Sequence, residues 1–253
     1  MWYELACLAP KSQRNRFRPW LLPAGCPSVW PDPTQADSDE GLVAVGGDLS
    51  PERLMSAYAQ GIFPWFEHQS AILWWCPEPR AILKDENLHA SRSLRRRMRK
   101  GDFALRIDTN FAFVIDGCAE RSEGTWITPD MRAAYVRLHE LGQAHSFEVW
   151  AGEMLVGGLY GVQLGGLFAA ESMFHRATDA SKIAVVAAVS SLFAAGFQLF
   201  DVQFKTPHLA SLGVTVLSRR DYLLTLDVAR RLDIPWRYVV EALHAKYSES
   251  SAV

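Results

Sequence analysis

Ten of the 13 prolines and six of the nine tryptophans of this 253-residue chain lie at or before Pro79. Proline locks φ and removes a backbone donor, so such a segment can hold neither long helices nor central strands. It reads as a small, loop-rich N-terminal domain over residues 1–78, followed by a second domain over 79–253. A 49% share of hydrophobic residues fills a real core and excludes disordered or fibrous classes. The 26 basic and 28 acidic side chains leave a net charge of −2, so any nucleic-acid contact must come from a local basic patch. Cys7, Cys26, Cys76 and Cys118 are far apart without CxxC spacing, which argues against a zinc knuckle, a redox pair or a disulfide framework and points to a reducing cytosol. Residues 1–10 lack a basic n-region and Glu4 breaks their apolar stretch, so no signal peptide is expected. The apolar run from Ile183 to Phe197 is too short to span a bilayer and reads as a buried helix.

Ser50-Pro51-Glu52 combines a capping hydroxyl, a proline for the first turn and an acid at the positive helix end, predicting a helix over 51–60 that stops at Gly61. Just upstream, 41–48 is an apolar run ending in a double glycine, read as a strand and an ordinary turn. Beyond Pro79 the periodicities predict strands over 103–108, 146–150, 153–162, 166–172, 199–203 and 214–217. They predict helices over 91–100, 111–120, 129–141, 179–195, 207–212 and 219–231. The pattern is that of an α+β protein with a mostly antiparallel central sheet. Residues 248–253 read as a frayed tail, and no repeat of fixed period is present.

Four places could carry chemistry. On the 91–100 helix, Arg92, Arg95, Arg96 and Arg99 follow i, i+3, i+4, i+7 spacing while Leu94 and Met98 lie opposite. This stripe is either a solvated face or a grip for phosphates, whose oxygens match guanidinium forks. In Leu199-Phe-Asp-Val-Gln203, strand alternation places Asp201 and Gln203 on one face; either they meet solvent at a strand end or they are buried for use. Glu171 is a carboxylate in the apolar run Phe168-Ala-Ala-Glu-Ser-Met-Phe174. It differs in parity from Phe168, so the two share a cavity only if the strand bulges, and a salt bridge to Lys182 or Arg176 is the simpler alternative. Aromatic residues cluster at Phe63-Pro-Trp-Phe66, Trp74-Trp75 and Trp126, as core or as the wall of an apolar pocket. His89, His139 and His145 lack metal-site spacing, and the serines lack a nucleophile elbow.

Taken in order, these pieces resemble the bacterial leucyl/phenylalanyl-tRNA–protein transferases. The matching segments are Glu40-Gly-Leu-Val-Ala-Val-Gly-Gly-Asp-Leu49, Gly61-Ile-Phe-Pro-Trp-Phe66, Ile72-Leu-Trp-Trp-Cys-Pro-Glu-Pro-Arg80, Gly124-Thr-Trp-Ile-Thr128, Ala144-His-Ser-Phe-Glu-Val-Trp150, Glu171-Ser-Met-Phe174 and Phe200-Asp-Val-Gln203. The resemblance implies a small N-terminal domain followed by a catalytic domain similar to the GNAT acyltransferase fold. It implies transfer of Leu or Phe, less readily Met, from aminoacyl-tRNA to the α-amine of proteins beginning with Arg or Lys, creating an N-degron. It also implies an aminoacyl pocket of Trp65, Trp126 and Phe168, with Glu171, Asp201 and Gln203 positioning substrates and assisting the reaction. Where relatives can carry cysteine and glycine, Ala169 and Ala170 follow Phe168, so a small change of pocket shape is expected.

An ester donor and an amide product make the reaction downhill without metal, ATP or cofactor, and the acceptor amine, with a pKa of about 7.7–8.0, is already partly neutral. Asp201 is expected to polarise Gln203, whose amide oxygen accepts from the attacking amine, while Glu171 pairs with an ammonium group. The arginine stripe then holds tRNA phosphates without reading bases. Two rivals stand beside this reading. An acetyl-CoA-dependent acetyltransferase is opposed by the lack of glycine after Phe174, and a non-catalytic RNA-binding protein leaves Asp201 and Gln203 without purpose. A cytoplasmic monomer is expected.

Overall fold

The computed structural model describes residues 19–247, except 24, 37–39, 68–69 and 122–123. The expectations for residues 1–10, for Cys7 and for 248–253 fall outside the described residues. The first sheet contains β1 (Trp20–Leu22), β2 (Leu42–Gly46), β3 (Phe63–Pro64) and β4 (Leu73–Trp75) in the order β1-β2-β4-β3, with α1 (Pro51–Tyr58) between β2 and β3 in sequence. Ser50 caps α1 by accepting from the Arg53 N–H, and Gly61 stops the chain at φ 73°. Gly46 and Gly47 turn the chain at φ 89° and 78°. The buried Arg53 packs beside Gly47 and donates to Asp48 and to the Pro23 carbonyl.

The second sheet comprises β5 (Arg80–Leu83), β6 (Ala104–Ile107), β7 (Ala144–Ala151), β8 (Met154–Leu164), β9 (Leu167–His175), β10 (Leu199–Gln203) and β11 (Thr215–Leu217). Its order is β11-β5-β10-β9-β8-β7-β6, and every pairing is antiparallel except β10 with β9. The helices are α2 (Arg92–Arg99), α3 (Phe111–Ala119), α4 (Pro129–Glu140), α5 (Ala180–Ala194), α6 (Pro207–Ala210), α7 (Arg219–Ala229) and α8 (Arg237–Tyr247). The fold is thus α+β with a mostly antiparallel central sheet, as the periodicities predict, and the elements expected beyond residue 90 lie within three residues of their expected ends. Residues 183–192 of the apolar run are buried in α5, which ends at Ala194, and no helix among the described residues is long and apolar enough to cross a membrane.

Five elements were not foreseen: β1, β3, β4, β5 and α8. The first three are two or three residues long, below the length at which alternation is visible. β5 opens on an arginine and is buried at all four positions, so its charge hid a central strand. The two sheets share one apolar core, in which Tyr58 and Trp74 pack with Phe111, Tyr135 and Tyr160. A second core lies between the large sheet and α5, with Leu94 of α2 buried in it.

A buried ion pair joins the strands at the centre. Arg80 of β5 donates through Nε and Nη2 to both carboxylate oxygens of Asp201 on β10, at 2.8 and 2.6 Å. Its Nη1 reaches the Gly61 carbonyl at 3.1 Å, and Tyr222 of α7 donates to Asp201 at 2.9 Å. The guanidinium lies 4.7 and 4.5 Å from the ring centroids of Phe63 and Tyr222. Arg80 and Asp201 are 1% and 0% exposed, so removing one partner strands the other charge in a dry interior. Arg80→Met is therefore expected to lose about 3–5 kcal/mol in urea unfolding, with the Arg80→Met, Asp201→Leu double variant losing less than the sum of the singles; a loss under about 1 kcal/mol in the single variant would show that water reaches the pair.

Candidate active site

Two irregularities in neighbouring strands open the site. β10 pairs in parallel with β9 only as far as Asp201 opposite Ala169, although β9 runs on to His175. In β9, Tyr160 and Gly161 of β8 face Ser172 and Ala170, so Glu171 is the extra residue of a bulge. A Cβ on Gly161 would sit 2.4 Å from the Ala169 carbonyl and 2.5 Å from the Phe168 ring, so only glycine fits opposite this bulge. In β10 the register against β5 also shifts between Asp201 and Gln203, and Gln203 takes the left-handed φ of 55°. Beyond these breaks lies a cavity of about 120 Å³, the scale on which an apolar cavity of about 150 Å³ accepts a benzene ring.

The cavity is apolar on most sides and polar at one edge. Trp65, Trp126, Met173, Phe200, Val202 and Leu209 supply apolar wall, and Arg121, Glu171, Ser172 and Gln203 supply polar atoms. Trp65 is held by contacts with Trp75 and Phe204 at centroid distances of 6.0 and 5.8 Å, while its carbonyl accepts from the Trp75 indole. Arg121 donates to Ser172 Oγ at 3.0 Å and to the Cys118 carbonyl at 3.2 Å.

Glu171 forms no bridge to Arg176, which pairs instead with Glu120. One carboxylate oxygen, Oε2, accepts from Tyr135 at 3.0 Å, and the Tyr135 hydroxyl lies 2.6 Å from that of Tyr58. The other, Oε1, is shielded from solvent and has no hydrogen-bond partner among the described residues. Burial pushes the carboxyl up to about 7, against the Tyr135 hydroxyl and the Tyr58 hydroxyl behind it, which favour the ionised form. The group therefore changes charge near neutral pH while touching an apolar pocket, a combination typical of reacting sites.

The expected site residues divide. Glu171, Gln203, Trp65 and Trp126 come together at the cavity. Asp201 and Gln203 are both buried, yet they do not face the cavity together, because the register break lies between them. Asp201 is held by Arg80 and Tyr222, and accepts from the Gln203 backbone N–H at 2.9 Å, with no hydrogen bond to the Gln203 amide side chain. The expectation that it polarises that amide is corrected accordingly: it sets the backbone of Gln203, leaving Nε2 buried and unpartnered among the described residues. Phe168 lies one layer behind the wall, fully buried and stacked on Phe200 at 5.6 Å. Arg92, Arg95, Arg96 and Arg99 are all exposed on α2, away from the Leu94 anchor, as the wheel predicts.

Sequence reasoning missed Arg80, Tyr58, Tyr135, Arg121 and Phe200. A signal existed for the first, since one arginine and one aspartate each stand alone in an apolar strand. No local pattern marks the tyrosines. Asp108, His139 and His145 were not expected to meet, yet their ligand atoms lie within 4.8 Å of one another. His145 Nδ1 is 2.7 Å from Asp108, and His139 Nδ1 is 2.8 Å from the Ala144 carbonyl. Both Nδ1 atoms face oxygen acceptors and so carry hydrogen there, which makes the group a hydrogen-bonded lock between β6, α4 and β7 and not an open set of ligands.

The comparisons bear on this geometry. The family model described as leucyl/phenylalanyl-tRNA protein transferase matches residues 82–227, and that of its N-terminal domain matches 47–78. A leucyl/phenylalanyl-tRNA–protein transferase of Anaeromyxobacter sp. (strain K) is 53% identical over 211 residues, covering 82% of this chain and 89% of its own. That of Stutzerimonas stutzeri (strain A1501) is 52% identical over 204 residues, covering 78% and 89%. A solved GCN5-related N-acetyltransferase-like protein from Streptococcus suis 89/1591 covers 55% of this chain and 57% of its own at 13% identity and a TM-score of 0.31, too weak a likeness to bear on the fold. With both family models in order along the chain and half of the aligned residues identical, the chain belongs to the leucyl/phenylalanyl-tRNA–protein transferases.

Proposed function

We propose that this chain transfers leucine or phenylalanine, and methionine less readily, from aminoacyl-tRNA to the α-amine of proteins that begin with Arg or Lys. The product is a new peptide bond and an N-degron, made in the cytoplasm by a monomer with no cofactor. The observation that carries the reading is the cavity: its size suits one apolar side chain, its walls are aromatic and aliphatic, and its polar edge holds Glu171 and Gln203. Charged side chains are kept out by the cost of leaving water, and β-branched ones by width.

Catalysis on this reading is positioning with a proton route. Trp65 and Trp126 hold the aminoacyl side chain directly, and Phe168 acts through Phe200. Asp201 is a positioning residue: it fixes Gln203, whose amide can bond the reacting groups. Glu171 pairs with the ammonium of the acceptor. Arg92, Arg95, Arg96 and Arg99 hold the tRNA acceptor stem through its phosphates; their exposure on a helix anchored from behind supports this, as does the lack of an acidic residue anywhere in 91–100. The division into residues 1–78 and 79–253 accompanies this proposal, with a break between β4 and β5.

The deciding experiment mixes the protein with tRNA charged with labelled phenylalanine and a model protein beginning with Arg, beside a Gly-starting control and an acetyl-CoA arm. Label on the Arg N-terminus alone is expected; labelling only from acetyl-CoA would overturn the donor, and labelling of neither would overturn the transferase. Trp126→Ala is expected to relax the preference for Leu over Ile by about tenfold or more in kcat/KM, read with one tRNA charged with either amino acid in parallel. Each Arg→Ala change at 92, 95, 96 or 99 should weaken tRNA binding and flatten its log K against log salt slope by about 1; an unaltered slope would remove that residue from the interface.

A further inference from the structure

We propose that Glu171 is the group that takes the proton from the attacking amine, and that Tyr135 and Tyr58 are positioning residues that hold one of its oxygens and leave the other, buried beside the cavity, without a partner. This rests on the transfer reading above and specifies its proton route. Of the carboxylates on the two strands that form the cavity edge, only Glu171 combines a place in the cavity lining with an oxygen that has no hydrogen-bond partner among the described residues. Asp201 cannot serve, since both of its oxygens are bonded to Arg80, one also to Tyr222 and the other also to the Gln203 N–H. Glu171 Oε2 is held by Tyr135, whose hydroxyl is backed by that of Tyr58, while Oε1 has no partner among the described residues. The bulge in β9 aims this one side chain away from the regular alternation, toward α1 and α4, which carry the two tyrosines.

The step balances without any further reagent. The neutral amine attacks the ester carbon, the C–N bond forms, and the nitrogen gives one proton to Oε1. The C–O bond to the terminal ribose breaks, and the same proton passes to the departing ribose oxygen, so Glu171 ends ionised as it began. The charged and titratable groups facing it are Tyr58 from α1, Tyr135 from α4, Tyr160 from β8 and Arg121 after α3, with Arg80 of β5 and Asp201 of β10 acting through space. Burial raises all three tyrosines well above their ordinary range, so they stay neutral donors while Glu171 titrates. The Tyr135 bond to Glu171, with Tyr58 behind it, favours the carboxylate, so its removal must raise the pH at which Glu171 ionises.

The test compares pH profiles of kcat/KM for wild type, Y135F, Y58F and E171Q with phenylalanyl-tRNA and the Arg-starting acceptor. Amine titration is common to all four, so a difference between profiles belongs to the enzyme. Y135F is expected to move the acid limb up by about one unit, and Y58F, one bond further away, by less in the same direction. E171Q should lower kcat by about a hundredfold or more and leave only the amine limb. A rise in KM with kcat unchanged in E171Q would overturn the proposal, because the carboxylate would then only bind the acceptor. A uniform loss at every pH in Y135F and Y58F would also overturn it. Infrared titration of the Glu171 carboxyl in the free enzyme, assigned by its loss in E171Q, provides a second readout. An upward shift in either tyrosine variant supports the coupling even if no transfer is seen, whereas a titration unmoved in both sinks it. Absence of wild-type transfer would defeat the functional reading separately.

Discussion

The geometry of the site hangs on one buried ion pair. Arg80 and Asp201 are 121 positions apart in sequence and sit on adjacent strands with almost no exposure. Such a pair tolerates little displacement, because each charge has lost its water and depends on the other. Around it converge the Gly61 carbonyl from the end of α1, the Tyr222 hydroxyl from α7, and the rings of Phe63 and Tyr222. The pair thereby ties the first sheet, the second sheet and α7 at a single point. It also sets the polar edge of the cavity, since the Asp201 oxygen that accepts from Arg80 Nε accepts the Gln203 N–H as well. That bond accompanies a left-handed backbone at a residue other than glycine, a conformation that persists only where the surroundings impose it.

The two bulges have a common physical effect. A regular β9 and β10 would continue their parallel pairing and leave no room between them. Each extra residue ends the ladder locally and turns a side chain out of alternation. In β9 it presents Glu171 toward the tyrosines of α1 and α4; in β10 it separates Asp201, which faces the ion pair, from Gln203, which faces the cavity. The polar atoms left unpartnered at this place, Glu171 Oε1, Gln203 Nε2 and Tyr160 Oη, are those that would be costly in an ordinary core. Two of these residues, Glu171 and Gln203, line the cavity.

Other polar residues of the large sheet serve the fold. In β7, Ser146, Glu148 and Trp150 share one face, and the buried Glu148 carboxylate accepts from both neighbours as well as from Thr109 and the Asn110 N–H. Four donors on one carboxylate bind β7 to the start of α3 and leave nothing over for a ligand. The contrast with Glu171 is one of hydrogen-bonding capacity: Glu148 has all of its own filled, whereas Glu171 keeps one oxygen without a partner among the described residues.

Local pattern determined a large part of this protein. Periodicity located the strands and helices from α2 to α7, capping chemistry located α1, and the wheel of 91–100 placed four arginines outside and Leu94 inside, because these depend on neighbours in sequence. It marked Glu171 and Gln203 as polar groups in apolar strands and, with the ordered segments, pointed to the family. Tertiary structure alone decided which side chains meet: that Arg80 takes Asp201, that Tyr135 takes Glu171 with Tyr58 behind it, that Phe200 and not Phe168 forms the wall. The reason is that bulges and buried pairs are events of register between strands distant in the chain, and a two-residue repeat read along one strand carries no record of where its neighbour slips.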